Sequence, residues 1–360
     1  MQAFFSQDQL LHDPQQFMRL GRISKPTDLA SRAHALQAAL AGFGIETHEP
    51  ADAGRAPLEK VHARHYLDYL ESAYERWRAL AQTGLEPGIE VLPNLSAYHG
   101  AQPGHQRPPC PSSSIVAQTG YYIGDLACPL GAHSWRSILR SAHSAAAAAQ
   151  ALCDGQQLAY ALCRPSGHHA YHDRAGGFCY VNNSATAAQH LVDGLDPARR
   201  SRVAVLDVDV HHGDGTQNIF YTRDDVLTIS THAATDNYYP FYVGYAEETG
   251  HGAGVGCNLN LPLAHGSGNP AFFAALATAL QRLRDFRPDA LVLAMGFDTY
   301  KDDPLGVFAL DMAAYSHIGQ QLRLLDLPLV IVQEGGYLVE ALQPGPVSYT
   351  HLTLPTILLV

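Results

Sequence analysis

Residues 203–215 read VAVLDVDVHHGDG, and this stretch decides the fold. It begins as an apolar run that is typical of a buried parallel strand. Polar residues then occupy every second position, as Asp207, Asp209 and His211. Side chains two residues apart in an extended chain project to one face, so we expect two carboxylates and an imidazole to converge where the strand ends. Burying three titratable groups without a partner ion is costly, so the stretch predicts a metal site.

Strands and helices alternate through most of the chain. Further apolar runs that predict buried strands begin at Leu158, Val226, Ala290 and Leu327, and segments with helical periodicity, such as 134–152, lie between them. This alternation predicts βαβ units, and therefore an α/β fold with a mostly parallel sheet. No linker separates two cores, so we expect one catalytic domain over residues 1–346.

Two segments depart from this pattern. Residues 86–120 are rich in Pro, Gly, Ser and His and form a long insertion without periodicity. Loops of this length in a compact domain are commonly functional or mobile, so the segment is either a surface excursion or an element that packs on a partner subunit and narrows an active-site mouth. Residues 347–360 lack any amphipathic register, and we interpret them as an atypical, non-native tail.

Composition excludes several classes of protein. The chain has 360 residues, of which 46% are hydrophobic and 16% charged, as in a globular protein with a large core. A formal net charge of −11 argues against nucleic acid as the main partner. The six cysteines contain no CxxC pair, which favours free thiols in a reducing compartment. No apolar segment is long enough for a membrane span, and no signal peptide is evident at the N-terminus, so we expect a cytoplasmic protein.

Three more predicted strands end in polar clusters. Asp298 follows one strand, Tyr337 follows a diglycine after another, and a third leads into the adjacent residues His168 and His169. Ligands in open α/β sheets lie at the carboxyl ends of the strands, so we expect these groups to share one site with the 203–215 segment.

The residue types at these strand ends suit amide hydrolysis. Asp209, His211 and Asp298 would supply three N/O ligands to a catalytic zinc with one open position. The two histidines can be tuned differently if each has its own carboxylate partner, and Asp207 and Asp214 are available for this. Tyr337 can donate a hydrogen bond to an oxyanion.

Five motifs in order along the chain, RPSGHHA, GGFCYVNN, LDVDVHHGDGTQ, MGFD and QEGGY, resemble the zinc-dependent histone deacetylase superfamily. Three further stretches resemble its bacterial acetylpolyamine amidohydrolase branch: YLDYLESAYERWRA, GYYIGDLACPLGAHSW and GYAEETGHGAG. The resemblance covers roughly residues 1–342. It implies the arginase–deacetylase fold, a central parallel sheet with helices on both faces.

The resemblance also implies a role for each site residue. Asp209, His211 and Asp298 would bind one zinc ion per subunit. His169, with Asp214 behind it, would act as general base and then acid, while His168, paired with Asp207, would assist electrostatically. Tyr337 would polarise the acetyl carbonyl group. The walls of the substrate channel would include Gly177, Phe178 and Tyr239. Potassium would bind main-chain oxygens of Asp207, Asp209 and His211, together with Ser230 and Thr231.

The substrate implied by the resemblance is a small, cationic N-acetylated polyamine or diamine. The insertion at 86–120 resembles one that helps a homodimer to restrict the channel to slender linear molecules. Val116 and Ala127 stand where some polyamine-specific relatives carry glutamates, although Asp125 lies close to the second position. This departure leaves the recognition of the distal ammonium group, and with it the choice of polyamine, open, and Asp125 is the candidate residue for binding it.

Three alternatives remain open. Deacetylation of acetyl-lysine in proteins is the nearest. An arginase-like ureohydrolase needs a second bridging carboxylate, and Tyr300 stands at that position. A catalytically inactive sensor of acetylated ligands would be marked by the loss of His169 or Tyr337, and both are present.

Overall fold

The computed structural model describes residues 1–96, 107–196 and 198–342. Its strands are β1 (Gln2–Phe4), β2 (Phe17–Arg19), β3 (Arg22–Ser24), β4 (Thr47–His48), β5 (Leu158–Ala161), β6 (Val203–Asp207), β7 (Val226–Ala233), β8 (Asn258–Leu263), β9 (Ala290–Met295) and β10 (Leu329–Gln333). Its α-helices are α1 (Ala30–Gly42), α2 (Arg64–Ala79), α3 (Ile115–Tyr122), α4 (Ser134–Cys153), α5 (Asn183–Gly194), α6 (Asp214–Phe220), α7 (Asn269–Phe286), α8 (Met312–Arg323) and α9 (Val339–Leu342).

A central sheet organises these elements. In the described ranges it contains eight strands in the order β4-β1-β5-β10-β9-β6-β7-β8. Every neighbouring pair in it is parallel. Strands β2 and β3 form a separate antiparallel hairpin. The α/β prediction is thus confirmed.

Alternate side chains of the central strands enter two different cores. In β6, Ala204 and Leu206 pack in the core that contains α1, α7 and α8. Val203 and Val205 point the other way, into the core that contains α4 and α5. A strand with both faces covered reads as a continuous apolar run, which is why β6 was recognisable in the sequence. The helices lie on both faces, as the resemblance implied.

The sheet order brings the site residues together. Strands β5, β10, β9 and β6 are consecutive neighbours, and all four are parallel. Their carboxyl ends therefore lie along one edge of the sheet, as a parallel arrangement requires. The histidine pair follows β5, Tyr337 follows β10, Asp298 follows β9, and the motif with Asp209 follows β6.

Several local expectations need correction. The irregular segment expected over 86–120 is shorter, because α3 begins at Ile115 within it. Strand β6 ends at Asp207, so Asp209 and His211 lie in the turn after the strand, and the three side chains do not form one row on a strand face. The sequence analysis predicted neither α6 nor β8. Residues 97–106 of the insertion and the whole tail 347–360 lie outside the described residues.

None of the described helices combines the length and apolar character needed to cross a membrane.

Candidate active site

Asp209, His211 and Asp298 form a group that can hold a metal ion. Their ligand atoms all lie within 4.8 Å of one another. Both carboxylates are fully buried. The Oδ2 atom of Asp298 accepts no hydrogen bond and lies 3.2 Å from Nδ1 of His211. Two carboxylates and one imidazole are a donor set that suits a catalytic divalent metal, so these residues fit the predicted ion.

The electrostatics of this group also suit a bound cation. Burial, followed by the nearby charge of Asp209, raises the pKa of Asp298 to about 7. Burial opposes ionisation of Asp209 as well, but His168 and His211 lower its pKa. Two buried carboxylates in one site repel each other, and a cation between them would remove that repulsion.

Two glycines leave the space that these carboxylates occupy. A Cβ atom on Gly296 would collide with the carboxylate of Asp209. A Cβ atom on Gly335 would collide with the carboxylates of both Asp298 and Asp209. The backbone N–H of Gly335 donates to Oδ2 of Asp209 at 2.9 Å. Gly335 of the QEGGY motif is therefore part of the wall of the candidate metal site.

The two adjacent histidines have separate carboxylate partners. Nδ1 of His168 lies 2.8 Å from Oδ2 of Asp207, and Nδ1 of His169 lies 2.6 Å from Oδ1 of Asp214. Burial opposes protonation of His168, but Asp207 and Asp209 raise its pKa well above the usual value. Burial, followed by the nearby charges of His168 and His211, lowers the pKa of His169 well below it. The pair therefore combines a cationic and a neutral imidazole.

Glu334 fixes the loop that carries these histidines. One carboxylate oxygen accepts hydrogen bonds from the backbone N–H groups of Gly167 at 2.7 Å and His168 at 3.2 Å. The other accepts from the hydroxyl of Ser184 at 2.8 Å. His168, Cys179 and Glu334 also lie close enough together to hold a metal, but hydrogen bonds already engage both oxygens of Glu334. Burial also raises the pKa of the Cys179 thiol, so the thiol stays protonated.

Tyr337 is held by the backbone before it and by a cation above it. Gly336 adopts φ +114°, a conformation that favours glycine, and a Cβ atom there would contact Phe297 at 2.6 Å. The guanidinium of Arg32 lies over the Tyr337 ring, 4.6 Å from its centroid, and Arg32 also donates to the carbonyl oxygens of Gly336 and Glu334. Burial raises the pKa of Tyr337 well above its usual value, so the phenol keeps its proton.

A cavity of about 480 Å³ leads to these groups. His169, His211 and Tyr337 line it together with the predicted wall residues Gly177, Phe178 and Tyr239. Asp125 also lines it, but its carboxylate accepts hydrogen bonds from the N–H groups of Gly177 and Ala127 and from the hydroxyl of Tyr239, at 2.8–2.9 Å. Asp125 therefore stabilises the channel wall through these hydrogen bonds, and it also places a carboxylate in that wall.

The predicted potassium ligands Ser230 and Thr231 lie next to Asp207. Ser230 pairs with Asp207 across β6 and β7. The hydroxyl of Thr231 donates to the main-chain oxygen of Asp207 at 3.2 Å. Both residues contact the main chain of Asp207, whereas His168 contacts its side chain.

Sequence reasoning missed several residues of the site. Tyr238 stacks on the His211 ring, with centroids 4.8 Å apart and planes at 9°. Arg32, Glu334 and Asp303 bind main-chain groups of the loops that carry Tyr337 and His168. Glu334 stood inside a quoted motif and Tyr238 beside Tyr239, whereas Arg32 and Asp303 gave no local signal.

Comparison with known proteins places the chain in a family. Residues 18–351 match the histone deacetylase domain. The chain is 45% identical over 349 residues to the acetylpolyamine amidohydrolase of Burkholderia pseudomallei, covering 97% of each chain. It is 41% identical to acetylpolyamine amidohydrolase 1 of Pseudomonas aeruginosa, covering 95% of each.

A solved structure has the same fold. The crystal structure of acetylpolyamine aminohydrolase from Burkholderia pseudomallei matches with a TM-score of 0.89 at 43% identity, covering 99% of this chain and 98% of that one. The resemblance seen in the five motifs thus extends over the whole fold, and the chain belongs to the histone deacetylase domain family.

Proposed function

We propose that this chain is a zinc-dependent amide hydrolase that deacetylates small N-acetylated polyamines and diamines, releasing acetate and the free amine. The observation that carries the proposal is that the group of Asp209, His211 and Asp298 opens through His211 onto a cavity that His169 and Tyr337 also line. The names of the relatives, which cover 95–97% of the chain, support the choice of substrate.

The metal would be held by Asp209, His211 and Asp298, one ion per subunit. When bound, zinc polarises the acetyl carbonyl and acidifies a water molecule. Potassium is proposed behind it, near the main-chain oxygen of Asp207, with Ser230 and Thr231.

His169 is the proposed general base. Its Nδ1 is held by Asp214, which leaves Nε2 to take the proton of the attacking water and then to deliver a proton to the leaving amine nitrogen. Its lowered pKa keeps it free to accept that proton. His168 stays cationic against Asp207 and assists the reaction electrostatically.

Tyr337 is the proposed oxyanion donor. Its phenol keeps its proton and can donate a hydrogen bond to the carbonyl oxygen as negative charge develops there. The cation–π contact with Arg32 restricts the ring, so the donor is oriented before the reaction begins.

The channel favours a slender, cationic substrate. Phe178 and Tyr239 line it with aromatic faces that can pack on a methylene chain or a distal ammonium group. Asp125 lines the same cavity, and its carboxylate can attract a positive charge even though it accepts hydrogen bonds from Gly177 and Tyr239. We further propose a cytoplasmic homodimer in which segment 86–120 narrows the channel, a catalytic domain over 1–346 and a non-native tail at 347–360.

The test is acetate release by the zinc-loaded protein from acetylputrescine, acetylspermidine and an acetyl-lysine peptide, measured side by side. Fast turnover of the free amines with a poor peptide rate is expected. A dominant peptide rate would establish protein deacetylation instead, and no turnover of any of the three with zinc bound would refute the proposal.

Two variants separate the proposed roles. Tyr337→Phe should lower kcat by about 10²- to 10³-fold with an unchanged zinc content, because it removes an oxyanion donor and no ligand. Asp298→Ala should instead remove the bound zinc, measured by metal analysis after dialysis. Equal loss of zinc in both variants would count against these assignments.

A further inference from the structure

Asp303 binds the backbone of the residue that carries the proposed oxyanion donor. Its Oδ2 atom accepts hydrogen bonds from the N–H groups of Tyr337 at 2.6 Å and Leu338 at 3.1 Å. Asp303 is only 7% exposed. Charge-assisted hydrogen bonds of this kind are short and about twice as strong as neutral ones, so Asp303 is a strong restraint on the Tyr337 backbone.

The other carboxylate oxygen binds the wall of the channel. Oδ1 accepts a hydrogen bond from the N–H of Leu305 at 2.9 Å. The Leu305 side chain packs with Phe178 and Ala127, and Tyr337 packs against the same cluster. The main-chain oxygen of Leu305 accepts the hydroxyl of Tyr238, the ring that stacks on His211. The carboxylate of Asp303 thus connects the Tyr337 loop to the channel wall at Leu305. Through Leu305 it is also connected to Tyr238, which stacks on the proposed metal ligand His211.

Gly335 and Gly336 make such a restraint necessary. A diglycine directly before Tyr337 gives this backbone more conformational freedom than any other pair of residues would. The 0.5 Å precision that an oxyanion donor requires must then come from contacts outside the loop. Arg32 makes such contacts by donating hydrogen bonds to the carbonyl oxygens of Gly336 and Glu334. Asp303 makes the others by accepting hydrogen bonds from the N–H groups of Tyr337 and Leu338.

We propose that Asp303 is a positioning residue for the deacetylation reaction, which acts by fixing the Tyr337 hydroxyl over the scissile carbonyl group. This inference rests on the proposed function. Asp303 is not among the residues that line the channel, and its carboxylate contacts the site through the backbone N–H groups of Tyr337, Leu338 and Leu305.

The first test is a double-mutant cycle with Asp303→Asn and Tyr337→Phe. An asparagine has one acceptor oxygen and turns an NH₂ group towards N–H donors, so one side of the restraint is lost. We expect kcat for the preferred acetylated amine to fall roughly 10- to 100-fold, with KM within about twofold and zinc content unchanged. In the Tyr337→Phe background the same change should cost less than about threefold, because the hydroxyl it positions is absent.

The second readout does not depend on activity. Hydrogen exchange at the amides of Tyr337 and Leu338 should accelerate in Asp303→Asn, while exchange in β6 and β9 stays the same. Asp311→Asn is the matched control, since Asp311 also accepts a backbone N–H, that of Ala313 at 2.9 Å, but at the exposed start of α8. The control should leave both kcat and exchange at residue 337 unchanged. If Asp303→Asn does not fold, Asp303→Ser keeps one small acceptor and takes its place.

The outcomes separate two failures. An inactive wild-type protein refutes the proposed function and the positioning role with it. An active wild type in which Asp303→Asn costs the same with and without the Tyr337 hydroxyl, or leaves amide exchange unchanged, overturns the positioning role alone.

Discussion

We expect a buried histidine, His62, to make the stability of the protein sensitive to acid. His62 is 2% exposed, and its Nε2 accepts the backbone N–H of Asn182 at 2.9 Å. Burial, followed by the nearby charge of His172, lowers its pKa from 6.5 to about 3; a hydrogen bond to the His172 main chain and the charge of Asp173 oppose this only in part. In the folded protein the ring is therefore neutral at every pH above about 3.

The sign and size of the effect follow from linkage. The unfolded chain protonates His62 near pH 6.5 and the folded protein only near pH 3, so the stability that the neutral ring provides is complete above pH 6.5 and is lost as the pH falls. Between pH 7.5 and 5.0 the unfolded chain binds this proton and the folded protein does not over a span equivalent to about 1.5 pH units. At 1.36 kcal/mol per unit, the free energy of unfolding falls by about 2 kcal/mol through this residue.

His62→Gln tests this value. A glutamine keeps an oxygen that can accept the Asn182 N–H, but it does not titrate. Urea unfolding at pH 7.5 and pH 5.0 should show that the free energy of unfolding of the variant falls by about 2 kcal/mol less than that of the wild type. His34→Gln, on the exposed side of α1, is the control and should fall as much as the wild type. A His62→Gln variant that loses as much stability as the wild type would refute the reasoning.

Two further predictions concern packing and charge near the site. In Gly213→Ala the new Cβ would collide with the carboxylate of Asp207, although the backbone φ of −76° suits any residue. We expect the free energy of unfolding, measured in urea, to fall by about 1–3 kcal/mol. The control Gly88→Ala, whose new Cβ would lie 3.9 Å from its nearest neighbour, should leave it unchanged. Asp28→Asn should lower the free energy of unfolding by about 3–5 kcal/mol, because the buried Arg32 and Arg164 lose the carboxylate that they share. The control Asp193→Asn, at an exposed ion pair with Lys60, should change it by less than about 1 kcal/mol. Equal effects of either change and its control would contradict the corresponding argument.

The sequence predicted the centre of the fold better than its edge. Strands β6, β9 and β10 are covered on both faces, so their apolar runs are continuous and easy to recognise. Strand β8 lies at the sheet edge, and its sequence NLNLPL contains two asparagines and Pro262. Proline is tolerated on an edge strand because one side of that strand needs no ladder hydrogen bond, but its presence hides the strand from a pattern search.

The candidate site shows the same division. Asp209, His211 and Asp298 could be predicted because each follows a recognisable strand and belongs to a residue type that binds metal. Asp303 and Arg32 act through main-chain atoms of distant loops, from a turn and from the buried side of α1. Nothing in the neighbouring sequence marks such contacts, because only the fold determines which loop lies opposite.

Many of the proposed site residues could be recognised in the sequence because they lie together in residues 207–214. Asp207 binds His168 and Asp214 binds His169, while the two metal-binding candidates of this segment lie between them. The turn is tight enough that a Cβ atom on Gly213 would meet Asp207 and one on Gly215 would meet the backbone of Ala170. The carboxylate partners of both histidines and two of the three candidate metal ligands therefore lie within one segment of eight residues, 207–214. Burial lowers the pKa of both adjacent imidazoles, but Asp207 and Asp209 raise that of His168 above its usual value, whereas the charges of His168 and His211 lower that of His169 further.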